Sequence, residues 1–170
     1  YIQYNNFNER NNVMLYGAYG ANLNMANMEV RCPQAKPILG FNLEGYRLVF
    51  NGVADMIKDN NKSLMTIGKI PIGLWKITKE CDKSLDRYEG YPHLYKKIRL
   101  KIDVPGFVGQ KVMFYVMRRK GVALPPASYF NTIAQGYDDF ALDKDYLNWA
   151  VHEADQMQKN KLDVFRKVGS

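Results

Sequence analysis

The chain has 170 residues, of which 46% are hydrophobic and 24% charged, and it carries a net charge of +7. This size and composition are typical of a single globular domain that buries its own core. No apolar run approaches the roughly 20 residues of a membrane-spanning helix, and the first residues lack the basic and apolar stretches of a secretory signal. We therefore expect a cytoplasmic protein with no membrane association.

A single domain is predicted over residues 13–157, between a polar, Asn-rich N-terminal arm at 1–12 and a polar C-terminal tail at 158–170. Its predicted elements, in chain order, are a strand at 13–19, a helix at 24–31, a strand at 45–53, a polar turn at 59–62, a β segment at 64–77, a helix at 78–89, strands at 94–104 and 110–119, and helices at 129–135 and 143–156.

Local signals set several of these boundaries. Asn24 and Thr78 are expected to cap the first two helices, Gly90 to end the second, and Pro71 with Gly73 to bend or bulge the long β segment. Most strands are joined by turns rather than by crossover helices. The sequence therefore predicts an α+β fold: a small mixed β-barrel with flanking helices and one central cavity.

The chain has two cysteines, Cys32 and Cys81, and two histidines. The cysteines have neither metal-ligand spacing nor the density of a disulfide scaffold, which predicts two reduced thiols. The histidines are too few for a zinc or haem site. We expect neither a metal nor an organic cofactor.

The basic residues are scattered along the chain. Lys97, Arg99 and Lys101 alternate with three aliphatic residues, which is typical of the solvated face of a strand. A net positive charge could attract nucleic acid, but this arrangement does not favour it.

A buried strand runs directly into the loop Tyr19-Gly20-Ala21-Asn22-Leu23. Small residues at such a junction let backbone N–H groups approach an anion, and a following helix N-terminus adds a favourable dipole. A plain strand–helix turn has the same composition and is the more common explanation. From these residues alone, both interpretations stay open.

Glu89 shares one face of its predicted helix with Cys81, Leu85 and Tyr88. It also lies at the helix C-terminus, where the dipole disfavours negative charge. Burial and the dipole would both raise the pKa of the carboxyl, as a general base working near neutral pH requires. An exposed Glu at a frayed helix end would give the same pattern.

Other enzyme classes lack their motifs. The sequence contains no phosphate-binding G-x-x-x-x-G-K-[ST] and no G-x-S-x-G nucleophile elbow. His93 lies four residues after Glu89, but its Tyr-Pro-His context favours a surface or rim position over a catalytic one.

Five segments together resemble the gamma-glutamylcyclotransferase family and its AIG2-like relatives. They are LYGAYGANL at 15–23, RCP at 31–33, LEGYRLVF at 43–50, GLWKIT at 73–78 and LDRYEGYP at 85–92, the last followed by Tyr95. A Pro-rich turn, PPASY at 125–129, completes the match. The resemblance covers about residues 13–155 in the family's order.

This resemblance implies a cofactor-independent cyclotransferase acting on a small gamma-glutamyl substrate. The loop from Tyr19 to Leu23 would hold the substrate's α-carboxylate and amine through backbone groups, and Tyr129 would line the pocket. Glu89 would deprotonate the α-ammonium so that the amine attacks its own γ-carbonyl. The products would be 5-oxoproline and a free amine or amino acid, released by a monomer or homodimer.

Ala21 stands where the family often has Ser, which removes a hydroxyl from the loop. The sequence also lacks the Y-G-S-L variant of the glutathione-specific branch. We therefore expect gamma-glutamyl amines or gamma-glutamyl amino acids as substrates. The alternatives are a catalytically silent binding module that sequesters a small anionic ligand and, less favoured, an adaptor that uses the basic strand face.

Overall fold

The computed structural model describes the backbone of residues 13–59 and 68–168, and the side chains of these ranges as far as residue 161. The predicted arm at 1–12 lies outside the described residues. So do most of the polar turn expected at 59–62 and the start of the β segment expected at 64–77.

Seven strands and four α-helices make up the described ranges. They are β1 Val13–Ala18, α1 Met25–Arg31, β2 Lys36–Glu44, β3 Tyr46–Phe50, β4 Ala54–Lys58, β5 Lys69–Thr78, α2 Lys79–Glu89, β6 Tyr95–Ile102, β7 Gln110–Met117, α3 Ala127–Asp139 and α4 Lys144–Val168, with a 3-10 turn at Ala21–Leu23.

The strands form one mixed sheet in the order β4-β3-β5-β1-β7-β6, with β2 also pairing with β5. Strand β1 lies at its centre, antiparallel to β5 and parallel to β7. The hairpins β3–β4 and β6–β7 extend the sheet on either side. The α+β class, with a curled half-barrel sheet and flanking helices, is as predicted from the sequence.

A buried carboxylate joins β4 to β7, which are not neighbours in the sheet order. Asp55 is 1% exposed; its Oδ1 accepts a hydrogen bond from the backbone N–H of Met117 at 2.9 Å. Its Oδ2 lies 2.6 Å from Nζ of Lys120. Because strands from opposite parts of the sheet meet at this residue, the sheet curls around an interior space.

The helix caps are those that the sequence predicts. The side chain of Asn24 accepts from the N–H of Asn27 at 2.9 Å, and that of Thr78 accepts from the N–H of Cys81 at 3.2 Å. Gly90 follows α2 in the left-handed conformation, with φ of 63°, which glycine adopts without strain. The end of α2, where Glu89 lies, is thus fixed by local sequence.

Three features of the strands and helices differ from the prediction. Strands β2 and β4 were not expected as separate elements. The register of β5 continues through Pro71 and Gly73, and the irregularity lies instead in β2, between Pro37 and Leu39. Helix α4 continues to Val168 instead of ending near residue 156.

Helix α3 packs directly on the 3-10 turn. A Cβ at Gly136 would lie 2.4 Å from Cβ of Leu23 and 2.7 Å from the backbone N of Asn24. Only glycine allows this close approach. The packing of α3 on the turn brings the start of α3, with Tyr129, towards the loop that follows β1.

The expectation of two reduced thiols is wrong in this structure. The Sγ atoms of Cys32 and Cys81 are bonded to each other, at 2.08 Å. Cys32 directly follows α1 and Cys81 lies in the first turn of α2, so two cysteines 49 residues apart in sequence become neighbours once the two helices pack together. Sequence spacing alone gave no sign of this proximity.

The basic face expected on β6 is not uniformly solvated. Arg99 and Lys101 are exposed, but the Nζ of Lys97 lies 2.6 Å from Oδ1 of both Asp82 and Asp86 on α2. The packing of α2 across this end of β6 explains the difference. Within the described ranges, no helix is both long and apolar enough to cross a bilayer.

Candidate functional site

A cavity of about 300 Å³ opens between the loop after β1, the end of α2 and the start of α3. Tyrosine side chains dominate its wall, together with one carboxylate, one amide and a few small or aliphatic residues. Its lining is Tyr16, Tyr19, Gly20, Ala21, Asn22, Val53, Ala54, Tyr88, Glu89, Leu94, Tyr95, Tyr115 and Tyr129.

Glu89 and the loop meet in space. Oε1 of Glu89 accepts a hydrogen bond from Nδ2 of Asn22 at 2.8 Å, across 67 residues of sequence. In the part of the chain that the structure describes, Oε2 has no hydrogen-bond partner. The two features that the sequence singled out therefore form one site, with a carboxylate oxygen available to a bound molecule.

Burial raises the pKa of Glu89 from 4.5 to about 7. Removing the carboxylate from water penalises its charged form, and the hydrogen bond from Asn22 and the charge of Arg31 reduce this effect without cancelling it. The carboxyl can therefore both accept and return a proton near neutral pH.

The side chain of Asn22 has a role that the sequence prediction missed. The prediction assigned only backbone contacts to this loop, yet the amide is 4% exposed and also donates through Nδ2 to the Tyr16 hydroxyl at 2.8 Å. Asn in a short polar turn is too common to signal such a contact, because its partners lie far away in sequence.

The loop presents backbone to the cavity at a point of close approach. A Cβ at Gly20 would lie 3.1 Å from both the Tyr129 hydroxyl and Cβ of Ala54. The N–H of Leu23 donates to the carbonyl of Gly20 at 2.9 Å, which starts the 3-10 turn. The earlier N–H groups of such a turn have no partner inside it, and Ala21 and Asn22 both line the cavity.

Tyr129 crosses the cavity from α3 to the opposite wall. Its hydroxyl accepts a hydrogen bond from the backbone N–H of Ala54 at 3.1 Å. Burial raises the pKa of this phenol to about 12, so it stays neutral and can donate its proton to a ligand. Its placement agrees with the expected pocket-lining position.

The remaining phenols form a wall that the sequence did not resolve residue by residue. The Tyr19 hydroxyl donates to the Tyr115 carbonyl at 2.5 Å, and the Tyr115 hydroxyl donates to Oδ1 of Asp86 at 2.6 Å. Burial raises the pKa of Tyr16 and of Tyr95. Strands β1, β6 and β7 each contribute a single tyrosine, and one tyrosine in a strand does not indicate which face encloses the cavity.

Two residues considered from the sequence lie elsewhere. Leu23 is completely buried in the core, against Gly73 and Gly136, and does not line the cavity. His93 is exposed and is likewise absent from the lining. The described residues contain no group of three or more His, Cys, Asp or Glu side chains placed to share a metal ion.

Comparison with protein families finds a partial match, to a family that the sequence motifs resemble. The model of the AIG2-like family matches residues 70–150, a span that contains α2 with Glu89 and all of β5 except its first residue. No curated protein matches the sequence significantly.

Solved structures share the fold. A gamma-glutamyl cyclotransferase superposes with a TM-score of 0.69 at 22% identity, over 81% of this chain and 86% of its own. An uncharacterized protein from Homo sapiens gives 0.68 at 22% identity, over 82% and 86%. YkqA from Bacillus subtilis gives 0.62 at 19% identity, over 89% and 55%. The resemblance to the AIG2-like and gamma-glutamyl cyclotransferase proteins is thus confirmed.

Proposed function

Starting from this AIG2-like resemblance and the cyclotransferase fold, we propose that the chain is an enzyme that cleaves a gamma-glutamyl amide by cyclisation. The observation that carries the proposal is the position of Glu89. Its carboxylate lines the cavity and is held by Asn22 at 2.8 Å, and burial raises its pKa to about 7.

In the proposed reaction, Glu89 takes a proton from the substrate's α-ammonium. The freed amine attacks the γ-carbonyl carbon, and a new C–N bond closes the five-membered ring. The ring nitrogen passes its excess proton to the leaving nitrogen, the bond from that nitrogen to the γ-carbon breaks, and Glu89 returns the first proton, so that the amine departs as an ammonium. The products are 5-oxoproline and a free amine or amino acid. Because nucleophile and electrophile belong to one molecule, holding it in a near-attack shape supplies much of the acceleration.

The loop and Tyr129 are proposed to hold the gamma-glutamyl end of the substrate. Backbone N–H groups of Gly20, Ala21 and Asn22 would bind the α-carboxylate, and the Tyr129 hydroxyl would fix its orientation. Ala21 offers no hydroxyl for this purpose, so binding rests on the backbone and on the phenols around it.

The residues at the mouth of the cavity indicate which leaving groups would fit there. Tyr88 and Leu94 line the cavity and are also 53% and 64% exposed, and Val53 is a further apolar residue of the lining. Such a rim favours an apolar stem over a leaving group with several charges. It supports gamma-glutamyl amines, or gamma-glutamyl amino acids with an apolar side chain, as preferred substrates.

The proposal is tested by measuring 5-oxoproline release from gamma-glutamyl amino acids, gamma-glutamyl-lysine and glutathione, with native protein, Glu89→Gln and Glu29→Gln. Glu29 is an exposed residue of α1 and serves as the matched control. We expect Glu89→Gln to lower kcat by about 10²- to 10⁴-fold, and Glu29→Gln to leave it unchanged.

Release of 5-oxoproline at equal rates by native protein and Glu89→Gln would contradict the assignment of Glu89. No release from any compound by a folded native protein would contradict the enzyme itself. In that case, retention of a gamma-glutamyl compound in the cavity would favour the binding module.

A further inference from the structure

Arg31, the last residue of α1, is hydrogen-bonded to the site without lining the cavity. One terminal nitrogen donates to Oδ1 of Asn22, and the other lies 2.5 Å from the Tyr88 hydroxyl. The centre of the guanidinium lies 3.6 Å from the centroid of the Tyr88 ring. Arg31 thus bridges the loop after β1 and the end of α2.

The contact with Arg31 completes the hydrogen bonding of the Asn22 amide. Its two N–H groups go to Glu89 and Tyr16, each at 2.8 Å, and its oxygen accepts from Arg31. A half-turn of the amide would set its oxygen against the Glu89 carboxylate and its N–H groups against the guanidinium. Arg31 therefore determines which end of the amide faces Glu89.

The backbone of Arg31 is fixed to the helix that carries Glu89. Oγ of Ser84 donates to the Arg31 carbonyl at 2.8 Å, and the next residue, Cys32, is bonded to Cys81 of α2. Arg31 is thus anchored on α2 by its backbone, through Ser84, and by its side chain, through Tyr88. It can hold Asn22 in a constant position relative to Glu89.

We propose that Arg31 is a positioning residue of this site: it orients the Asn22 amide and, through it, the Glu89 carboxylate. This inference rests on the proposed function for its kinetic consequences. Its structural content, the link from Arg31 through Asn22 to Glu89, holds whatever molecule the cavity binds.

The charge of Arg31 gives this link a measurable signature. The titratable groups around Glu89 are mainly phenols: Tyr16 of β1, Tyr19 after β1, Tyr88 beside it on α2, Tyr95 of β6 and Tyr129 of α3. Asp55 of β4 lies beyond these phenols. The cation acting on Glu89 is Arg31, which lowers its pKa against the effect of burial. Removing that charge therefore raises the pKa of Glu89.

The experiment compares Arg31→Gln, Arg31→Lys and the control Arg99→Gln, which replaces an exposed residue of β6. For each variant, kcat and KM for 5-oxoproline release are measured across pH, and Glu89 is titrated by carbon NMR of glutamate-labelled protein, assigned with Glu89→Gln. We expect Arg31→Gln to lower kcat by about 10- to 100-fold and to change KM less than threefold. The acid limb of the kcat–pH profile and the NMR titration of Glu89 should both move to higher pH.

Arg31→Lys separates orientation from charge. It keeps a cation but cannot reach Asn22 and Tyr88 together in the planar fork of arginine, so kcat should fall while the Glu89 titration stays close to native. Arg99→Gln should change nothing. Arg31→Lys also keeps the test decisive if Arg31→Gln does not fold.

Two results would overturn the proposal: an unchanged Glu89 titration in folded Arg31→Gln, or a fall in kcat explained by unfolding alone, with an unmoved pH profile. Failure of the proposed function would look different. The native protein would then release no 5-oxoproline, while the Glu89 titration would still move in Arg31→Gln.

Discussion

The carboxyl of Glu89 is held where its ionisation costs stability. Burial raises its pKa from 4.5 to about 7, so the folded protein binds this proton more tightly than the unfolded chain does. Its contribution to stability is fully present below about pH 4.5 and is lost as the pH rises through 7. Active sites commonly carry such a cost in exchange for reactivity.

Replacing this carboxyl should therefore change how stability depends on pH. Between pH 5 and pH 8 the native protein should lose up to roughly 3 kcal/mol of unfolding free energy through Glu89. Glu89→Gln, which cannot ionise, should lack this loss and be the more stable protein at pH 8. Urea unfolding at both pH values measures the difference, with Glu29→Gln as control. Parallel losses in all three proteins would refute the assigned pKa.

Residue-level prediction from sequence reached Glu89 but not its partners. The helical period and the cap at Gly90 locate Glu89 on an inward face, because both are local properties of the chain. The bonds of Asn22 to Tyr16 and Glu89, and the role of Arg31, depend on contacts across the fold. No local signal could have distinguished Asn22 from any other Asn in a turn.

The same division between local and long-range determinants holds for the secondary structure elements. Asn24, Thr78 and Gly90 fixed the ends of α1 and α2 correctly, because capping involves residues only a few positions apart. Strand β2 was missed because most of its residues are half-buried or exposed, so its face shows no clear alternation. Its existence depends on pairing with β5, about 30 residues further along the chain.

The link between β4 and β7 gives a prediction at the scale of elements. Asp55→Ala leaves the Met117 N–H without its acceptor and Lys120 without its partner, and should cost about 2–3 kcal/mol of unfolding free energy. The neighbouring Ala54 lines the cavity, so KM should rise as well. Asp55→Asn keeps an acceptor and should cost less.

Urea unfolding and steady-state kinetics of both Asp55 variants measure these effects. Lys69→Ala is a suitable control, because its ion pair with Glu44 is well exposed on both sides and should contribute little. A loss for Asp55→Ala no larger than that for Lys69→Ala would show that this link does not hold the curl of the sheet.

At the scale of the whole molecule, the site is assembled from distant parts of the chain. The loop comes from the end of β1, Glu89 from α2 and Tyr129 from α3, and the curled sheet brings them around one cavity. Turn-joined strands and flanking helices predicted the curled, barrel-like architecture, but not the contacts that join its distant strands. One such contact is made by Asp55, whose partners Met117 and Lys120 lie more than 60 residues further along the chain.

A ligand that bridges these parts should stabilise the whole fold. Under the proposed function, Glu89→Gln should bind a gamma-glutamyl substrate without turnover. At a concentration 100 times its Kd, such a ligand adds about 2.7 kcal/mol, which raises the Tm of a protein of this size by roughly 5–10 °C. Differential scanning fluorimetry measures the shift. Gly20→Val, whose side chain would meet Tyr129 and Ala54, should abolish it, and an equal shift in that variant would place the ligand outside the cavity.

The tyrosine wall of the cavity has one more consequence. Phenol rings absorb in the near ultraviolet, and their bands move with the polarity and asymmetry of their surroundings. Six of them surround this cavity, whereas neither Trp75 nor Trp149 lines it. A molecule that enters the site therefore changes the tyrosine bands while leaving the indole bands as they were, so the protein carries its own optical reporter of occupancy.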